Sequence, residues 1–138
     1  MSVNPPPEIR NDLEQKLLDA QEGRLEMDDF MNALFEAQLF MPVHEGRTVS
    51  NIQLSNKAKP LSLTAEDGTE VLVLFTSPDR AKPFIKDHPG YEGGILTDMS
   101  WIFEHLGVGF GITLNPGHEI GLDLEPESVA QLARKHLH

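Results

Sequence analysis

The sequence contains no cysteine, and this absence removes several chemistries at once. Disulfides, thiolate metal sites and cysteine nucleophiles are all excluded. Basic residues are scarce as well, since 11 Lys and Arg stand against 22 Asp and Glu, for a formal net charge of −11. A chain this acidic repels phosphate groups, so we expect it to bind neither nucleic acids nor anionic membranes.

Long hydrophobic runs are also missing. The longest uninterrupted run of aliphatic and aromatic residues spans 71–75, whereas a transmembrane helix needs about 20 apolar residues. The N-terminus has neither the basic segment nor the apolar segment of a signal peptide. Together with the lack of cysteine, these features predict a cytoplasmic protein.

The composition is that of one globular domain. The chain has 138 residues, of which 39% are hydrophobic and 24% are charged, and both values lie near globular averages. This length accommodates a single hydrophobic core. We divide the chain into an N-terminal arm with an acidic helix, residues 1–26, and an α+β domain, residues 27–138.

Helical spacing of apolar residues predicts five helices. Two form an N-terminal pair, over about residues 6–21 and 28–38. The third begins after Ser77 as N-cap, and we expect Pro83 to interrupt it. The fourth follows Thr97 as N-cap, and the fifth closes the chain.

Alternating polar and apolar residues predict five or six strands, one of them over residues 51–56. The continuous apolar run at 71–75 is typical of a central strand covered on both faces. We expect the end of the strand at 39–43 to lie at a sheet edge, because Pro42 has no N–H to donate. The predicted fold is α+β: a single domain with a mixed or mainly antiparallel sheet of about five strands and helices packed on it.

Two turns are marked by their residues. Asp67 and Gly68 indicate a two-residue hairpin loop before the central strand. The sequence Asn-Pro-Gly-His at 115–118 has proline and glycine where a type II turn requires them. This second turn predicts an antiparallel hairpin between strands over 109–114 and 118–124.

Three segments, at 30–43, 67–78 and 109–117, resemble the SseB-like N-terminal domain family, which is named for an enhanced serine sensitivity phenotype. The most specific parts are Phe-Thr-Ser at 75–77 and Leu-Asn-Pro-Gly at 114–117. The resemblance covers about residues 28–135. It implies a small bacterial cytosolic α+β domain without established catalytic residues, linked to serine or sulfur metabolism or to secretion.

We recognise no catalytic, cofactor or metal motif in the sequence. The histidines lack the close i, i+4 spacing of a zinc motif, and Ser77 does not stand in a nucleophile elbow. The glycines at 107, 109 and 111 lack the dinucleotide-binding spacing. We therefore expect no catalytic residue, no metal site and no cofactor.

Three features each allow two interpretations. The acid excess, with eight acids and no Lys or Arg over 87–133, is either a solvated surface or a docking face for a basic partner. The apolar stripe of the first helix packs either on its own domain or against another chain, which would give a homodimer. Gly109 and Gly111, expected on one bare strand face, serve either close packing or ligand contact.

The sequence favours a non-catalytic protein-interaction or regulatory domain with a protein partner. The alternative is a small-molecule sensor or small enzyme with a site near the end of the central strand. Loops held by a rigid scaffold carry many functional contacts, and aromatic residues often anchor interfaces. We expect one recognition surface bordered by Thr76, Ser77, Tyr91, Asp98, Gly109 and Gly111.

Overall fold

Residues 9–44, 59–91 and 93–136 are described by a computed structural model, and over these residues the chain forms five helices and seven strands. The helices are α1 (Asp12–Gln21), α2 (Met27–Glu36), α3 (Pro78–Ile85), α4 (Met99–Leu106) and α5 (Pro126–His136). The strands are β1 (Leu39–His44), β2 (Lys59–Pro60), β3 (Ser62–Thr64), β4 (Glu70–Leu74), β5 (Gly94–Thr97), β6 (Gly111–Leu114) and β7 (Leu122–Leu124). The strand predicted over 51–56 lies outside the described residues.

The strands form two small sheets. One sheet has the order β2-β1-β5 and is antiparallel, and the other has the order β3-β4-β6-β7 with β4 and β6 parallel. An antiparallel bridge between Phe40 and Phe75 joins the two sheets. The predicted α+β class with a mixed sheet is confirmed. The seven described strands outnumber the five or six expected, and they form two sheets instead of one.

The main core lies between the helices and one face of the four-stranded sheet. Leu72, Leu74, Ile112 and Leu114 of the parallel strands enter it. Leu17 of α1 is fully buried there, so the apolar stripe of the first helix packs on its own domain. Burial of each such side chain contributes about 1.5–3 kcal/mol to the stability of the fold. The second, smaller cluster on the opposite side contains Phe40, Leu61, Val73, Phe75 and Ala81.

The edge position predicted for β1 is wrong, because β1 lies between β2 and β5. Pro42 is accommodated by its neighbour Leu61. The Leu61 N–H donates to the Pro42 carbonyl at 2.9 Å, while the Leu61 carbonyl accepts from the Val73 N–H at 3.0 Å. Since the Leu61 carbonyl is satisfied by β4, the donor that proline lacks is not needed in the middle of the sheet.

Three predicted helix boundaries are corrected. Helix α1 begins six residues later than expected, because the Asn11 side chain accepts from the Glu14 N–H and caps it. Asp98, not Thr97, caps α4, and Thr97 ends β5. Pro83 lies inside α3 without ending it, since the carbonyl that loses its donor belongs to Asp79, which is exposed.

The strand predicted over 109–114 is shorter than expected, since β6 begins at Gly111. Gly107 and Gly109 have positive φ angles of 76° and 110°, which a strand does not allow. Gly109 therefore lies in a loop and does not share a strand face with Gly111.

Both hairpins are present, with one difference in loop length. At 115–118 the His118 N–H donates to the Asn115 carbonyl at 3.1 Å and Gly117 has φ of 88°, as in a type II turn, and β6 pairs antiparallel with β7. The antiparallel pairing and the turn are confirmed, whereas β7 begins at Leu122, four residues later than predicted. The loop at Gly68 has three residues instead of two, because Ala65 still pairs with Thr69 across it.

Candidate functional site

The carboxyl ends of β4 and β6 lie side by side, because these two strands are parallel. Thr76 follows β4 and Asn115 follows β6, and both residues are buried. The Thr76 N–H donates to Asn115 Oδ1 at 2.9 Å, and Asn115 Nδ2 donates to Thr76 Oγ1 at 3.0 Å. Asn115 has φ of 56°, a left-handed conformation that asparagine tolerates better than most residues.

A buried ion pair completes this polar cluster. Glu14 of α1 is 0% exposed and Arg80 of α3 is 8% exposed. Arg80 Nε and Nη2 donate to separate oxygens of the Glu14 carboxylate, each at 2.9 Å, which is the bidentate geometry that suits arginine. The Thr76 hydroxyl donates to the same carboxylate, and the Arg10 N–H donates to it at 2.9 Å.

The surroundings of Glu14 act on its pKa in opposite directions. Burial alone would raise the pKa, but the hydrogen bonds from Arg80, Thr76 and the Arg10 backbone, with the Arg80 charge, lower it from 4.5 to about 2. Glu14 is therefore ionised near neutral pH, and with so low a pKa its carboxylate is a weak base there. The geometry identifies the pair as a structural link more than an acid–base catalyst.

The same cluster fixes α1 and the hairpin on the sheet. Asn11 Nδ2 donates to the Thr76 carbonyl at 3.1 Å, so the N-cap of α1 also binds the end of β4. Asn115 Nδ2 donates to the Ile120 carbonyl, and His118 Nε2 donates to the Arg80 carbonyl at 2.7 Å. The cluster thus joins α1, β4, α3 and the β6–β7 hairpin.

A groove of about 780 Å³ lies on the four-stranded sheet. Its floor includes Leu63, Val71 and Gly111, which are paired in register on β3, β4 and β6. By strand alternation these residues face away from the main core that Leu72 and Ile112 enter. The rim carries four acids: Asp67, Asp123, Glu125 and Glu127.

Gly111 is needed in this floor because the chain passes close to it. A Cβ at this position would lie 2.8 Å from the Leu124 carbonyl oxygen, which is too short for a stable contact. Close packing by β7 therefore explains Gly111 without a ligand. Gly109 has open space around its missing Cβ, so its positive φ is what favours glycine there.

A smaller hollow of about 450 Å³ lies near the amino ends of β4 and β6. Tyr91, Leu106 and Phe110 contribute to its walls. The Tyr91 ring contacts the His44 ring edge-on, with centroids 5.1 Å apart. Tyr91 is half-buried and packs against the second cluster, so it contributes to the fold as well as to the surface.

The structure places the six predicted site residues in separate regions. Tyr91 borders the hollow that Phe110, the neighbour of Gly109, also lines. Asp98 is exposed and caps α4 through the Trp101 N–H. Thr76 belongs to the buried cluster, and Ser77 caps α3 by accepting from the Arg80 N–H at 3.4 Å.

These positions do not meet at one surface. Gly111 pairs with Val71 at the beginning of β4, whereas Thr76 lies five residues further along, about 16 Å away at the usual rise of a strand. The parallel strands thus separate the Gly109–Gly111 segment from Thr76 and Ser77. A binding role for the six residues stays a prediction.

Glu14 and Arg80 were not among the predicted site residues. Glu14 lies on the buried side of α1, three residues before Leu17. A carboxylate on an apolar stripe is unusual, and this was the available indication that Glu14 has a partner. Its partner lies 66 residues away, and helical spacing gives no information on such a contact.

The fold and its polar cluster define the chain as a small α+β domain whose buried charges neutralise each other and whose sheet carries an acid-rimmed groove. The chain belongs to the SseB family, since residues 13–131 match the model of the SseB protein N-terminal domain. The family resemblance seen in the sequence is confirmed. The family match begins within α1 at residue 13, whereas the resemblance seen in the sequence begins only at about residue 28.

No curated protein and no solved structure matches the chain. Within the described ranges, none of the helices has the length and apolar character needed to cross a membrane.

Proposed function

We propose that this chain is a non-catalytic protein-interaction or regulatory domain that binds a basic segment of a partner protein. The observation that carries the proposal is the groove on the four-stranded sheet, with Leu63 and Val71 in its floor and four acids at its rim. An apolar floor contributes affinity by burial, and a charged rim selects the partner and raises the association rate.

The charge distribution supports a basic partner. Three of the rim acids lie in the segment 87–133, which contains eight acids and no Lys or Arg. A segment with lysines or arginines would therefore gain attraction along the whole rim. We expect the partner to belong to serine or sulfur metabolism or to secretion, which is what the family resemblance implies.

The polar groups at the end of the central strand support this role over the alternative of a sensor or small enzyme. The carboxylate there, Glu14, already receives hydrogen bonds from Arg80 and Thr76, and Asn115 is bound to Thr76 and Ile120. These groups satisfy one another, so they have little capacity left for a substrate. The alternative stays a prediction.

The test is affinity purification of the tagged chain from its native host at ionic strengths of about 0.1 M and about 1 M. These correspond to screening lengths of about 10 Å and 3 Å. We expect a partner that is retained at low salt and released at high salt. Its sequence should contain a basic segment, and its identity tests the metabolic or secretion link.

A matched pair of variants assigns the partner to the groove. Glu125→Gln combined with Glu127→Gln removes two rim charges, one of them in the first turn of α5. The control, Asp28→Asn with Asp29→Asn, removes two charges from the first turn of α2. Loss of the partner with the first variant alone supports the proposal, and equal capture by both variants contradicts it.

A further inference from the structure

The outer edge of β5 is open for pairing, as the hydrogen bonds of β1 indicate. Phe40 exchanges both of its backbone bonds with Phe75, at 2.8 and 2.9 Å. The N–H and C=O of one strand residue point to the same side, so those of Phe40 point away from β5. Phe40 stands opposite Leu96, and this pair is therefore not hydrogen-bonded. It follows that the N–H and C=O of Leu96 point outward, away from β1.

The same argument applies to Gly94. Its partner on β1 is Pro42, whose carbonyl accepts from Leu61 on the other side. Gly94 and Leu96 thus present two consecutive sets of outward donors and acceptors. Among the described residues, no strand pairs with this edge, since β5 is the last strand of its sheet, and Gly94 and Leu96 are both exposed.

The side chain of Leu96 distinguishes this edge from the other strand edges. It is 53% exposed, more than any other large apolar side chain among the described residues. An exposed apolar side chain on an unpaired edge favours addition of another strand. Gly94 adds no side chain that would hinder an approaching strand, and the Phe40 ring occupies the space that a Cβ would need.

We propose that the edge of β5 accepts an extended segment of a partner protein as an added strand, with Leu96 as its apolar contact and with Lys or Arg in the segment. Backbone hydrogen bonds would supply affinity and alternate side chains specificity. The charges favour a basic segment, because Asp98 is exposed at the end of β5 and the surrounding segment 87–133 contains no Lys or Arg. A second copy is a poorer occupant, since each copy carries a net charge of −11.

This inference rests on the proposed interaction role but uses a different surface from the groove. To test it, peptides that bind the whole chain are selected from a phage-displayed library of random octapeptides. Enriched peptides are synthesised, their affinity is measured, and backbone amide exchange is followed with and without peptide. We expect enriched sequences that alternate β-branched residues with Lys or Arg, and peptides that slow the exchange of the Gly94 and Leu96 amides.

Leu96→Pro blocks the edge selectively, because proline is tolerated where a strand N–H faces solvent. The matched control is Ser62→Pro on β3, whose N–H also points outward because Leu61 and Leu63 make the bonds to β4. We expect Leu96→Pro to weaken peptide binding at least about tenfold, or about 1.4 kcal/mol, and Ser62→Pro to leave it unchanged. Thermal unfolding reports whether each variant is folded. If Leu96→Pro does not fold, the amide exchange of the wild-type chain still tests the inference.

Four results would overturn the inference. The first is that folded Leu96→Pro binds the peptide as tightly as the wild-type chain, and the second is that the peptide slows amide exchange only at groove residues. The third is that no peptide is enriched. The fourth is that the wild-type chain self-associates and Leu96→Pro abolishes this association. The variant with Glu125→Gln and Glu127→Gln separates the two proposals. If it loses the native partner yet binds the peptide, both surfaces act as proposed, and if it loses the peptide, the peptide occupies the groove and the edge inference alone fails.

Discussion

Glu14 is the residue on which the buried polar groups converge. It accepts hydrogen bonds from Arg80, Thr76 and the backbone of Arg10, and so links α1 to the start of α3 and the end of β4. A buried pair of this kind adds little net stability over apolar residues of the same size, but losing one partner leaves an uncompensated charge. The pair therefore determines where α1 sits on the sheet.

We expect Glu14→Gln to destabilise the fold by about 3–5 kcal/mol, because it leaves the buried Arg80 guanidinium without a counter-charge. Urea denaturation of both proteins measures the difference. Combining Glu14→Leu with Arg80→Met should recover most of the loss, since no unpaired charge then remains. The control is Asp19→Asn, which breaks an exposed pair with Arg24 worth about 1 kcal/mol at most. A cost for Glu14→Gln no larger than that of the control would refute the assignment.

The same carboxylate predicts an acid sensitivity. Its folded-state pKa of about 2 lies below the ordinary value of 4.5, so the stability it contributes is present above pH 4.5 and is lost as the pH falls towards 2. This contribution is at most about 3 kcal/mol at 1.36 kcal/mol per pKa unit. Denaturation at neutral pH and near pH 3 should show a smaller acid-induced loss in Glu14→Gln than in the wild-type chain. Equal losses in the two proteins would argue against an ionised, bonded Glu14.

At the scale of elements, the β6–β7 hairpin depends on one backbone angle. Gly117 has φ of 88°, and a Cβ there would meet no atom within 4 Å. Any other residue at position 117 would therefore be destabilising because of the positive φ angle and not because of a steric clash. The bonds from Asn115 to Ile120 and from His118 to Arg80 connect this turn to the polar cluster.

We expect Gly117→Val to destabilise the fold by about 1 kcal/mol or more, because a β-branched residue resists positive φ. Gly117→Asn should cost less, since asparagine is accepted at this position of a type II turn. Gly93→Val is the control, because Gly93 has open space and no positive φ. Thermal unfolding compares the three variants, and a Gly93→Val loss as large as that of Gly117→Val would contradict the explanation.

The elements with local determinants were predictable from the sequence. The continuous apolar run gave β4, and Ser77 followed by Pro78 marked the start of α3. Strand β5 was missed because its four residues lack alternation, and it is a strand because β1 supplies its hydrogen bonds. Likewise, the position of Pro42 depends on Leu61 and Val73, which are distant in the sequence, so its residue type alone led to the wrong edge assignment.

The candidate site was likewise predictable only where its residues are close in the sequence. Thr76 was expected near the end of the central strand, and it lies there. The contacts of Thr76 with Glu14 and Asn115 join residues 62 and 39 positions apart, and periodicity carries no information at such distances. The groove in turn depends on the register of β3, β4 and β6, which no single segment determines.

For the molecule as a whole, the net charge of −11 sets which partners can approach. We expect no useful affinity for duplex DNA, because phosphates and the acidic surface repel each other. A gel shift at low salt is the strictest test, since low salt strengthens any electrostatic attraction. A Kd below about 1 μM, which corresponds to a binding free energy of about −8 kcal/mol, would overturn this expectation.

The central claim is that a basic partner occupies the groove on the four-stranded sheet. We test it by photo-crosslinking in an extract of the native host, with a photoreactive phenylalanine analogue at position 65, an exposed groove residue whose replacement keeps all four rim acids. The control position is 29, which is exposed in the first turn of α2. We expect a discrete crosslinked product from position 65, weakened at high salt, and none from position 29. No product at 65, or the same product from both positions, would contradict the claim.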